Sequence, residues 1–172
     1  MKEVGDIFTF NPSKSGDLLL YLGTPGGITL LRGISSLKIE FSPVEHVRRY
    51  FDEVEATADL VGIHSRIECE IELLSGEPAH EYLLGMIKSG SAGDAVEVEL
   101  YIVDISAGSS PYPCRRRQYS FIPRTLCAGS MGAGLPAYTL ACEFKARSLA
   151  ECGAAALSPD GQTMNFYGAP DS

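Results

Sequence analysis

Ten consecutive residues, His64 to Leu73, alternate without a break. His64, Arg66, Glu68, Glu70 and Glu72 fall on one side, and Ser65, Ile67, Cys69, Ile71 and Leu73 on the other. A period of two is the spacing of a β-strand with one face in water and one against a core. The pattern recurs where Leu37, Ile39 and Phe41 alternate with Lys38, Glu40 and Ser42, and where Val96, Val98, Leu100 and Ile102 alternate with Glu97, Glu99 and Tyr101. It returns from Tyr138 to Arg147, with Leu140, Cys142 and Phe144 opposed to Ala141, Glu143 and Lys145. One-faced strands must bury their apolar sides against something, so the chain is expected to be mainly β (α+β).

The remaining segments are assigned around these strands. The first 35 residues read as two short strands around a glycine-rich turn region. Ile7, Phe8 and Phe10 form one apolar cluster and Leu18 to Leu22 another, with turns at Asn11-Pro12 and Ser15-Gly16-Asp17 between them. Pro25-Gly26-Gly27 is a further turn before Ile28 to Leu31. Pro78 follows Ser75-Gly76-Glu77 and opens a helix whose stripe is Ala79, Leu83 and Ile87, with Tyr82 and Met86 beside it. Ser89-Gly90 stops it. Local spacing also favours a helix over 43–54, because Ser42-Pro43-Val44-Glu45 is a capping box and Val44, Val47, Phe51 and Val54 follow at helical intervals. Residues 106–114 read as a loop, and Arg116 to Leu126 as a strand interrupted near Pro123. From Glu151 the chain reads as a small, polar tail with a turn at Asp160-Gly161. Eighteen glycines and ten prolines among 172 residues suit many short elements joined by turns. The expected organisation is one domain over 1–172, with N-terminal strands or arm at 1–32, a core at 33–150 and a C-terminal tail at 151–172.

Charge and motifs exclude more than they select. The net charge of −8 disfavours tight nucleic-acid binding, which needs clustered Lys and Arg to displace counterions. The longest aliphatic or aromatic run, Leu18 to Leu22, is far short of the ~20 residues that cross a bilayer, so no membrane anchor is expected. MKEVGDIFTF carries Glu3 and lacks the apolar stretch of an export signal. The five cysteines, Cys69, Cys114, Cys127, Cys142 and Cys152, are then expected as thiols made in a reducing cytoplasm. His46, His64 and His80 have no ligand partner at close spacing, so no metal is expected. Gly23 to Gly27 lacks the Lys-Ser/Thr ending of a phosphate loop, and no cofactor is expected. Cys114 precedes Arg115, Arg116 and Arg117, which could lower its pKa and make it a nucleophile. A small hydrolase using Cys114 or Cys127 is therefore one reading. The other reading of the three arginines is a contact with carboxylates of a neighbouring chain. No catalytic residue is assigned.

The stretch from Gly33 to Gly90, with the strands after it, combines several features. A strand opens after Gly33-Ile34-Ser35-Ser36, a Glu45-His46 pair sits on the long half-hairpin, and the charged return strand runs from Ser65 to Leu74. The helix carries Tyr82-Leu83-Leu84-Gly85, and two long strands at 95–105 and 136–147 follow. In this order they resemble the core of bacteriophage tail tube proteins, and the resemblance implies two packed antiparallel sheets as a sandwich or barrel, with one flanking helix. Copies join in rings, commonly hexameric in that family, so that inner strands form one ring-wide β-barrel. It also implies that 43–50 continue the strand, and that 51–63 form a loop against the next ring. Asp52, Glu53, Val54, Glu55, Asp59, Leu60 and Val61 would be the inter-ring residues.

On that reading Glu68, Glu70, Glu72, Glu97 and Glu99 help line the lumen and repel passing DNA, or else some of them pair with Lys38, Arg66, Lys145 or Arg147 across strands. The implied partners are further copies of the chain and the terminator, tape measure and distal tail proteins. The implied place is a virion tail, assembled in a bacterial cytoplasm. A β-sandwich binding module, a secretion-system tube and another virion protein are the alternatives.

Overall fold

A computed structural model describes residues 18–48, 57–90, 96–128 and 138–168. In chain order the elements are β1 (Leu18–Thr24), β2 (Gly27–Leu30), β3 (Ile34–Arg48), β4 (Thr57–Leu73), α1 (Pro78–Ser89), β5 (Glu97–Asp104), β6 (Tyr112–Ala128), β7 (Tyr138–Ala146), β8 (Glu151–Leu157) and β9 (Met164–Gly168). The fold is mainly β with one flanking helix. All nine strands belong to one antiparallel sheet, ordered β2-β1-β5-β6-β7-β4-β3, with β8 and β9 branching from β6. It does not close into a barrel.

The branch is at β6. One edge of its first half pairs with β5, from Cys114 to Ser120. Along the other edge lie β8, opposite 112–116, and then β7, opposite 119–128. Two regions of sheet therefore share one strand, and each has its own core. The larger core holds Leu20, Leu22, Ile67, Ile71, Leu83, Leu100, Phe121, Leu140 and Phe144. The smaller, on the opposite face of β1 and β5, holds Tyr21, Tyr101, Val103, Cys114, Ala155 and Met164. This explains the unbroken apolar run Leu18 to Leu22: a strand buried on both faces has no polar side to alternate.

The helix sits on the larger core through Ala79, His80, Leu83 and Met86. Gly90 stops it in the left-handed conformation, at φ 62°, with its N–H on the last-turn carbonyls. His80 was not singled out as structural by sequence, yet it ties three segments together. Its Nδ1 accepts from Leu74 N–H at 2.9 Å, so Nε2 carries the proton and donates to the Arg32 carbonyl at 2.8 Å.

Four local expectations are corrected. Residues 43–48 are strand and not helix, as the resemblance implied: Pro43 pairs with Ile63 and Val47 with Ala58. A ladder of cross-strand hydrogen bonds here outweighs the modest helical preference of the sequence. The expected loop at 51–63 is shorter, since Thr57–Leu73 is one strand; residues 49–56 lie outside the described ones. The loop at 106–114 ends early because β6 begins at Tyr112. The tail is a hairpin, β8 and β9, packed on the smaller core. Gly153, Ala154, Ala155 and Ala156 have no bulk to alternate, but their smallness admits Phe166: a Cβ on Gly153 would stand 2.7 Å from that ring.

Candidate assembly surfaces

Strands β3, β4, β7 and the second half of β6 form a four-stranded wall. Its members run alternately up and down, since each adjacent pair is antiparallel. No further strand pairs with either flank of the wall among the described residues. Among the described residues β3 pairs with β4 alone, and β6 from Phe121 to Ala128 pairs with β7 alone. Open edges present unpaired backbone N–H and C=O groups and are templates for another strand. Leu126 on the β6 flank and Phe41 on the β3 flank are 38% and 36% exposed. Beyond the reach of β7, the β3–β4 hairpin continues as a two-stranded arm carrying Val47 and Ile63, at 62% and 47% exposed. Of the expected inter-ring residues, Asp59 and Leu60 lie on this arm opposite His46 and Glu45, and Val61 sits at the register shift between Leu60 and Gly62. Asp52, Glu53, Val54 and Glu55 lie outside the described residues.

The register places Glu68, Glu70 and Glu72 on the wall face turned away from the larger core. Rows across the strands read Glu40–Arg66–Lys145–Ser120–Glu97, then Lys38–Glu68–Glu143–Ile122, then Ser36–Glu70–Ala141–Thr125. Glu97 shares this face, and Glu99 lies one step further along it, under the β8–β9 branch. The five carboxylates are not equivalent. Glu68 pairs with Arg66, Glu97 with Arg147 at 2.9 Å, and Glu99 with Arg116 at 2.8 Å. Glu70 and Glu72 are exposed and form no ion pair among the described residues. The face is thus charge-balanced over its middle rows and purely acidic toward the Glu70–Glu72 end.

Its centre is a residue that sequence reasoning placed on the polar side without singling out. Glu143 is only 2% exposed, yet what covers it is other side chains of the same face. Arg124 donates to Oε2, Arg66 pairs with Oε1, and Lys145 lies 3.8 Å from Oε1. Burial pushes its pKa up, but the Arg124 hydrogen bond and the charges of Arg66, Arg124 and Lys145 outweigh it and hold the carboxyl below its usual range. Nothing in the sequence links residues 66, 124 and 143; only the pairing does.

The smaller core argues against Cys114 as a reactive thiol. Burial raises Cys114 to about 12, the reverse of activation. Two of its arginine neighbours are engaged elsewhere: Arg116 bonds Glu99 and faces Glu151, while Arg117 donates to the carbonyls of Ser148 and Ile63. Tyr101 is raised to about 12 by burial and by its hydrogen bond to Glu99. Among the described residues no three His, Cys, Asp or Glu side chains are placed to hold a metal ion, and no helix is long and apolar enough to cross a membrane.

No known family model and no curated protein matches the chain. Solved structures do. A chain of the sheath–tube complex of an extracellular contractile injection system, PVC, in its extended state is 12% identical, with a TM-score of 0.51 over 80% of this chain and 88% of that one. A chain of the sheath/tube terminator of the same system is 10% identical, with a TM-score of 0.52 over 84% and 99%. At such identity the likeness is one of fold.

Proposed function

We propose that this chain is a non-enzymatic structural subunit of a tail-type tube. The observation that carries the reading is the wall with its two open flanks. An even number of alternating strands leaves β3 and β6 running in opposite directions. The β6 flank of one copy can therefore accept the β3 flank of an identically oriented copy as a further antiparallel neighbour. That contact is heterologous, so rotation about one axis closes it into a ring and removes every open edge of the wall. The shared fold with chains of a sheath–tube complex and its terminator supports this geometry.

In this reading the rings are hexameric and the β3–β4 arm, with Val47 and Ile63, packs against the next ring. The face bearing Glu68, Glu70, Glu72 and Glu97 lines the lumen, with Glu99 at its margin. Glu70 and Glu72 supply the net repulsion toward DNA, while the paired carboxylates hold the wall together. Terminator, tape measure and distal tail proteins meet the two ends. The tube is part of a virion assembled in a bacterial cytoplasm.

Negative-stain microscopy of the purified protein at high concentration tests the core of this proposal. Annular particles or hollow filaments are expected. Discrete monomers at every concentration and salt would overturn it and favour a β-rich binding module.

A further inference from the structure

Cys69 on β4 and Cys142 on β7 stand directly opposite each other in register, with their Sγ atoms 3.4 Å apart. Both are almost fully buried, at 4% and 3% exposed, between the rows Ile67–Phe144 and Ile71–Leu140. We propose that this pair is a modification site: it closes to a cross-strand disulfide when the protein meets a hydroperoxide outside a reducing compartment.

The backbone already suits the bond. Opposed residues of an antiparallel ladder have Cα atoms about 4.5–5.5 Å apart, inside the range that disulfides span. The sulfurs are in contact, so small side-chain rotations bring them to bonding distance without moving the strands. The other three cysteines have no such partner in register. Cys114 faces Gly153, Cys152 faces Arg115 and Cys127 faces Thr139. The thiol of Cys142 keeps its proton strongly, held by its hydrogen bond to Cys69 and by burial.

The chemistry balances. One sulfur of the pair attacks one peroxide oxygen, the O–O bond breaks, and water departs to leave a sulfenic acid. The other sulfur then attacks that sulfur, the S–O bond breaks, and a second water leaves. Two thiols and one hydrogen peroxide become one disulfide and two waters. The product would staple the second strand of the wall to the third, closing a long loop, and burial would shelter it from reductants. This site does not depend on the tube reading.

The test uses the folded protein carrying Cys127→Ser and Cys152→Ser, which removes the two exposed thiols. It is treated with hydrogen peroxide, quenched, denatured and alkylated before peptide mass analysis. The expected product has lost two hydrogens, joins tryptic peptides 67–88 and 125–145, is reversed by dithiothreitol, and melts about 10 °C higher. Recovery of both residues as alkylated thiols, or as separate sulfinic acids, would overturn the proposal. Adding Cys142→Ser must abolish the linked peptide; the same mass change without Cys142 would overturn it as well.

Discussion

Arg124 and Glu143 meet across β6 and β7 with Nε and Nη2 of the guanidinium both on Oε2, at 3.0 and 2.5 Å. Arg124 occupies the register shift between Pro123 and Thr125, and the extra residue of a bulge re-aims a side chain. Pro123 cannot donate to a ladder, so the irregularity falls where the ladder is already weak. A proline that sequence reading marks as a break thus places the guanidinium that closes the central cluster.

Replacing Glu143 with Gln should cost roughly 1–3 kcal/mol, because Arg124 and Arg66 lose the carboxylate they share. The pH dependence has a definite sign. The folded-state pKa is lowered, so the stabilisation is complete above the ordinary carboxylate range and is lost as pH falls through the folded value. Urea unfolding of both proteins across that range checks it. The difference between them should be largest near neutral pH and shrink on acidification.

Gly33 should not tolerate alanine. Its φ is 71°, and a Cβ would stand 2.5 Å from the Glu72 carbonyl oxygen. Its own carbonyl accepts from Glu72 N–H at 2.8 Å, so the strand start cannot shift away without losing that bond. Gly33→Ala is expected to lose about 1–3 kcal/mol in chemical denaturation, with assembly weakened in proportion.

His80→Ala should cost a similar amount, about 1–3 kcal/mol, by leaving Leu74 N–H and the Arg32 carbonyl without partners. Backbone hydrogen exchange gives the sharper readout. Protection should fall at Leu74 and around Arg32, while residues 97–103 of β5 keep theirs.

Strand β4 and the helix were legible because each shows one apolar face to a single core. Ile67, Cys69, Ile71 and Leu73 were expected inward and are all buried, as are Ala79 and Leu83 of the helix stripe. The β8–β9 hairpin was not legible, because Gly153 to Ala156 carry no contrast in size or polarity for a period to act on. The continuation of β3 through residues 43–48 contradicted its local spacing and followed from the resemblance, since the pairing that decides it lies in residues 57–63. For the candidate surfaces, polarity identified the acidic strands correctly but could not apportion them. Which carboxylates are paired depends on Arg116, Arg124 and Arg147 arriving from other strands.

That apportionment alters what neutralising the acidic face should do. Glu70→Gln with Glu72→Gln removes charge that no ion pair among the described residues balances, so the fold should change by less than about 0.5 kcal/mol. If the face lines a lumen, cargo passage should slow while tubes remain intact by microscopy. Glu68→Gln instead strips a partner from Arg66, so its effect should appear in stability. Equal passage rates in the Glu70/Glu72 variant and the parent would remove the lumen role from these two residues.

The direction of the ring contact can be tested by blocking each flank separately. Lysine at an edge position that faces the core side obstructs strand addition. Leu126→Lys should spoil the β6 flank and leave the β3 flank intact, whereas Phe41→Lys does the opposite. Each side chain is already more than a third exposed, so the monomer should lose only about 1–2 kcal/mol. Alone, each variant retains one sound flank but no complementary one, and should stay monomeric by light scattering. Mixed, the sound β6 flank of one and the sound β3 flank of the other can join once and no further. A one-to-one dimer on mixing, from two variants that are monomers apart, is therefore the expected outcome. An interface in which like flank meets like would behave otherwise, because each variant would then dimerise by itself through its unblocked edge.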